Sequence, residues 1–143
     1  MKFSKKYLPK SLSRRDKTRQ RKELTKSKKN YRTKKGKQKY HSRPKLKSYK
    51  NRPSSWTQQF HKLYPDSKSY SEISKATGIP QGALKAVVRK GKGAYFSSGS
   101  RPNQTATSWG RARMYSYILG GKTRKVDKHI TVKYSVKFKH QTK

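Results

Sequence analysis

Cations outnumber carboxylates in this chain by 41 to 5, a formal net charge of +36 over 143 residues. That imbalance limits what the chain can fold into. Ordinary soluble domains mix both signs, and here self-repulsion works against compaction. Such a charge persists where something negative neutralises it. Nucleic acid is the first candidate, because each Lys or Arg set on a phosphate releases a condensed counterion. An acidic protein surface or an anionic membrane is the weaker alternative. No cysteine is present, which removes disulfides, thiolate zinc sites and cysteine nucleophiles. No apolar run approaches the roughly 18 residues that span a bilayer, and the basic start Met1–Lys6 lacks the apolar stretch of a secretory signal. The expected setting is intracellular.

The charge is unevenly placed. Residues 1–55 hold 23 Lys+Arg against two acids, Asp16 and Glu23, a net +21. They contain no Ile, Val, Ala or Trp, so the segment is expected to be a basic arm, disordered when free and extended or partly helical when bound. One local signal interrupts it. Ser13 and Asp16 fit the N-cap and N3 positions of a capping box, which predicts a helix from Arg14 to about Lys29. Tyr31, Tyr40, Tyr49 and Trp56 recur among the lysines that follow. Aromatics so interleaved suit stacking on bases or docking on a protein surface.

Residues 56–143 carry 18 Lys+Arg against Asp66, Glu72 and Asp127, a net +15, and read as one small domain. Segment 70–91 predicts two helices about a tight turn. Ser69 or Ser71 would cap the first, Gly78 would supply the left-handed residue, and Pro80 would open the second. Ala83, Leu84, Val87 and Val88 form the second helix's buried face, and Gly91 ends it. A short extended piece through Tyr95-Phe96 follows. A third helix runs from about Ser108 to Leu119, with Trp109, Ala112, Tyr115, Ile118 and Leu119 inward and Gly120-Gly121 as its stop. From Ile130 to Phe138, apolar and polar residues alternate strictly, the pattern of a strand with one basic face. The expected class is therefore α+β: about three short helices and a short sheet behind a basic arm.

Several motifs bear on chemistry. Glu72–Arg89 has helix-turn-helix spacing, and its second helix would offer Gln81, Lys85 and Arg89 on one stripe to a major groove. The plainer alternative is a helical hairpin that builds the core and touches phosphates without reading sequence. Gly121-Lys122-Thr123 fails as a phosphate-binding loop, because Ser116 stands where a glycine is required. The loop Ser97–Thr105 offers either a backbone cradle for an anion, with Arg101 the residue to test, or an ordinary turn stiffened by Pro102. Asn103-Gln104-Thr105 matches a glycosylation sequon by chance. Five scattered carboxylates give no paired acid and base. His41, His61, His129 and His140 lack metal-ligand spacing, and Asp127 is expected to pair with an Arg or Lys rather than work with His129. No enzymatic activity, cofactor or metal is expected.

The run Gly91–Thr105 (GKGAYFSSGSRPNQT), followed by Ser108-Trp109, Ala112-Arg113, Gly120-Gly121-Lys122 and Val126–Ile130, resembles a family of uncharacterised basic proteins of the nucleocytoplasmic large DNA viruses of algae and amoebae. Relatives of the second domain also occur in phages. The resemblance reaches the arm through Lys6–Ser13, Asp16-Lys17 and Arg43–Ser48. It implies a setting in the virion or the viral factory and carries over no catalytic residues. Members of that family stop soon after the residues matching His129-Ile130, so Thr131–Lys143 departs from the pattern.

The expectation is thus a virion-associated structural protein that binds packaged DNA or the inner capsid face within a multi-protein assembly. Arg14, Arg15, Lys28, Lys29, Lys34 and Lys35 of the arm, with Lys85, Arg89, Arg101, Arg111 and Arg113 of the domain, would meet the polyanion. A minor capsid protein lacing subunits through its arm and its C-terminal strand is one alternative. A helix-turn-helix regulator is the other.

Overall fold

The computed structural model describes residues 3–32, 43, 45–49 and 54–142. Its elements are α1 (Arg14–Arg32), α2 (Ser55–Leu63), α3 (Tyr70–Thr77), α4 (Gln81–Ser97), α5 (Ala106–Leu119), α6 (Thr123–Val126) and α7 (Lys128–Lys133). Two compact units emerge. One gathers Met1–Arg52 with Lys92–Trp109, the other Pro53–Gly91 with Gly110–Lys143. Helices α4 and α5 each contribute residues to both.

The first unit is built around α1. Ser13 caps it, its Oγ accepting from Asp16 N–H at 3.2 Å. The box is not closed in the usual reciprocal way. Asp16 instead accepts from the N–H and hydroxyl of Ser48, whose own Oγ accepts from Ser13 N–H. These bonds hold the Asp16 carboxyl below its ordinary pKa. The inward stripe of α1 is mostly polar: Asp16, Gln20 and Ser27 are buried beside Leu24. Burial of such groups is tolerable only when they are bonded, and they are. Gln20 donates to the carbonyls of Tyr7 and Ser100, and Ser27 to that of Phe96. Leu12, Leu46 and Tyr95 add apolar area. Asn103, at φ 62°, accepts from Leu46 N–H at 2.7 Å and donates to Leu46 C=O at 3.1 Å. Arg43 donates to Ser100 Oγ, Ser27 Oγ and Tyr95 C=O, and its guanidinium lies 3.9 Å from the Tyr95 ring. Burial pulls its pKa down, opposed by Tyr95 and Glu23.

The second unit has the apolar core. Phe60, Ile73, Ile79, Leu84, Val87, Met114, Tyr117 and Ile118 are almost fully buried there. A closed capping box, Ser69 with Glu72, starts α3, and Gly78 at φ 74° ends it. Gly91 does not stop α4. It lies mid-helix because a Cβ there would sit 2.7 Å from the Gly110 Cα, so the bare backbones of α4 and α5 set their separation. Gly120, at φ 93°, ends α5 as expected. Arg124 then donates to the carbonyls of Tyr117 and Ile118, satisfying two acceptors of the last turn. Arg113 grips the buried Asp127 carboxylate through two bonds of 2.9 and 2.6 Å.

The expected α+β class is corrected: the architecture is all-helical, and no strand occurs among the described residues. Tyr95-Phe96 belongs to the last turns of α4. The first residues of the Ile130–Phe138 alternation lie in α7, and a turn through Tyr134 and Ser135, at φ 50°, leads into irregular backbone. A lone strand would have left its hydrogen-bonding groups without a partner edge, whereas α7 satisfies them locally. The turn also re-phases the side chains. Ile130 and Val136 reach the core while Val132 stays 70% exposed. Augmenting a neighbour's sheet through 130–138 loses its element with that correction.

Residues 135–142 lie across the second unit as a strap. Phe138 packs edge-on to Tyr117 and under Arg124, whose carbon sits 3.7 Å from its ring centre. Lys139 donates to Ala76 C=O in the last turn of α3, and His140 bonds Tyr64 at 2.6 Å. Deleting residues 135–143 should therefore cost about 3 kcal/mol or more, since one Val and one Phe leave the core. A thermal melt showing an unchanged midpoint would refute this.

Acid supplies a second check. Asp16 is ionised in the fold at pH values where the unfolded chain has begun to protonate it, so its contribution is complete at neutral pH. That contribution should fade as pH falls through about 4 and below. The Asp16→Asn variant should flatten the acid limb of a pH–stability curve monitored on α1.

Candidate polyanion interface

A surface that binds phosphates needs cations that are exposed, unpaired by carboxylates and held at fixed spacing. Helix α1 meets the first and third conditions. Its inner stripe faces Asp16 into the unit, so Arg14, Arg15, Arg19, Arg21, Lys22, Lys26 and Lys29 remain on the exposed side. From Arg14 to Lys29 the helix sets these charges along about 22 Å. A shallow groove of about 640 Å³ runs beside Arg21, Lys22, Lys26 and Lys29, with Glu23 its one acid. Basic residues in the first turn oppose the helix dipole, so Arg14 and Arg15 sit there at a cost to the isolated helix.

The structure places the remaining candidates in different environments. Lys28 is half-buried, its ammonium 4.8 Å from the Phe3 ring. Lys34 and Lys35 lie outside the described residues, as do Tyr40 and His41. In the second unit Gln81, Lys85 and Arg89 are exposed on one face of α4, directly after the α3–Gly78 turn. Lys85 lies 5.8 Å from the Tyr70 ring. Arg111 donates to Lys68 C=O at 2.8 Å and to the Tyr115 hydroxyl, and Arg113 is engaged by Asp127. Those two guanidiniums already hold structural partners. Arg101 is exposed in the loop after α4, where Lys5 and Lys6 stand on the same cleft.

Sequence reasoning passed over Arg43, Arg124, Lys5 and Lys6. A buried arginine gives no periodic signal, and a meeting of residues 5, 6 and 101 is a long-range event. No described helix is long and apolar enough to cross a membrane. Among the described residues no group of three or more His, Asp or Glu side chains could hold a metal ion.

Comparison with known proteins adds one match. No curated protein and no solved structure matches the chain. A family model covers residues 4–134, nearly the whole chain, and ends where the C-terminal strap begins. The chain belongs to the family of unknown function DUF5824.

Proposed function

We propose that this chain is a non-enzymatic nucleic-acid-binding protein that neutralises packaged viral DNA within a virion. One observation carries the reading. Helix α1 turns its first acid, Asp16, inward and presents seven cations outward along a single rigid rod. Duplex DNA offers one phosphate charge per about 1.7 Å of its axis, so a rod of that length can meet several at once. The hydrogen bonds of Asp16 go to Ser13 and Ser48 on the inner side of the helix. The viral setting rests on the family resemblance alone, and an acidic inner capsid face remains the competing partner.

A second reading has its own support. Helices α3 and α4 joined by a three-residue turn with left-handed Gly78 have the form of a helix-turn-helix. Its exposed Gln81, Lys85 and Arg89 would enter a major groove. In that case Gln81→Ala and Lys85→Ala would change site preference more than overall affinity.

Titrating duplex binding against salt tests the main reading. The log–log slope should be about −5, as for some six phosphate contacts. Replacing Arg15, Arg19, Lys22 and Lys26 by Gln should make it shallower by about 3 to 4. A flat plot for the unaltered chain would overturn the proposal.

A further inference from the structure

Three distant stretches of the first unit converge on one concavity of about 540 Å³. Lys5, Lys6 and Ser11 line it from the N-terminal turn, Ser48 and Tyr49 from the segment after Arg43, and Arg101 from the loop behind α4. Three cations are thus brought together from positions nearly a hundred residues apart, and no carboxylate lines the cleft. The nearest acid in the bonding network, Asp16, lies behind Ser48 and accepts both of its donors. Convergence of like charges opposes folding, so an arrangement of this kind is expected where an anion completes it.

The walls are held in place. Lys5 and Lys6 sit in a turn closed by Tyr7 N–H and Leu8 N–H on Ser4 C=O, each at 3.0 Å. Lys6 lies 5.3 Å from the Tyr7 ring, which meets Trp109 edge-on at 6.1 Å. Tyr49 is tied through its backbone, its N–H donating to Leu46 C=O and its C=O accepting from Asn103 Nδ2. Arg101 follows fully buried Ser100 and precedes buried Pro102.

We propose that this cleft takes one nucleotide of a single-stranded nucleic acid. Lys5, Lys6 and Arg101 hold the phosphate oxygens, the Ser11 hydroxyl bonds a remaining polar edge, and Tyr49 stacks on the base. The chemistry of the lining fits each part: guanidinium and ammonium donors for phosphate, an aromatic face for a base. The volume lies within the usual range for sites that enclose a small ligand. A base still paired in a duplex cannot enter such a hollow, which separates this site from the outer face of α1. The inference rests on the nucleic-acid reading above and gives it a second, strand-selective contact.

The test uses the full chain with a short labelled oligothymidylate and a duplex of equal length. Tyr49→Ala should weaken single-strand binding about tenfold, as loss of one stacked base does, and leave duplex binding unchanged. Tyr49→Phe should keep both. Arg101→Ala should weaken the single strand more than Lys26→Ala, a loss of one α1 cation. Thymidine monophosphate should displace the strand better than inorganic phosphate at equal ionic strength. Equal effects of Tyr49→Ala on both substrates would overturn the proposal, as would parity of Arg101→Ala with Lys26→Ala or of the two competitors. Any of these with a steep duplex salt slope leaves the wider reading standing, whereas a flat slope removes that reading by itself. Ultraviolet cross-linking of the unaltered chain to a bromouracil-substituted strand avoids any question of variant folding. Its adduct should map to Tyr49, and adducts confined to other peptides would count against the cleft.

Discussion

Arg124 donates to the carbonyls of Tyr117 and Ile118 and lies over the Phe138 ring, and in doing so it shows how this fold manages its charge. With five carboxylates for 41 cations, ion pairs cannot be the general means. The guanidinium can donate in several directions at once and stack on a ring, and the structure uses both properties. Arg43 does the same in the first unit with Ser27, Ser100, Tyr95 C=O and the Tyr95 ring. Arg111 uses Lys68 C=O and Tyr115. Arg113 is anchored by a carboxylate, in a two-point grip on buried Asp127.

Lysines are treated differently. An ammonium is strongly hydrated and gains little from burial, and on α1 Lys22, Lys26 and Lys29 stay at the surface. Arginine can thus serve the interior while lysine, with the outward arginines of α1, charges the surface. This division lets the chain fold and still offer a dense cationic exterior. It also explains why removing a charge has different meanings at different positions. At Arg124 it would open the end of α5, and at Lys26 it would only change the field.

Local signals in the sequence were reliable where one or two residues decide the outcome. Ser13 and Asp16 mark the start of α1, Ser69 and Glu72 that of α3, and Gly78 and Gly120 supply left-handed backbone where helices end. The buried face of α4, Ala83, Leu84, Val87 and Val88, follows from its period. The sequence misleads where a distant partner decides. Gly91 looks like a stop until Gly110 is seen against it. The 130–138 alternation looks like a strand, but no partner edge exists to reward it among the described residues. The inward stripe of α1 is hidden because Asp16, Gln20 and Ser27 are polar and bury themselves by hydrogen bonding. For the same reason the meeting of Lys5, Lys6, Tyr49 and Arg101 is readable only in three dimensions.

The interleaving of the two units has a consequence for biosynthesis. Each unit takes one stretch from the first part of the chain and another from the second, with the crossing points inside α4 and α5. The first unit cannot close until Trp109 has left the ribosome, and the second must wait for the strap residues near the C-terminus. Throughout that interval the most cationic stretch of the chain has been made and has none of its own later partners. Contacts of such long sequence separation also form slowly. The densest charge of the chain is therefore made well before the contacts that fold around it.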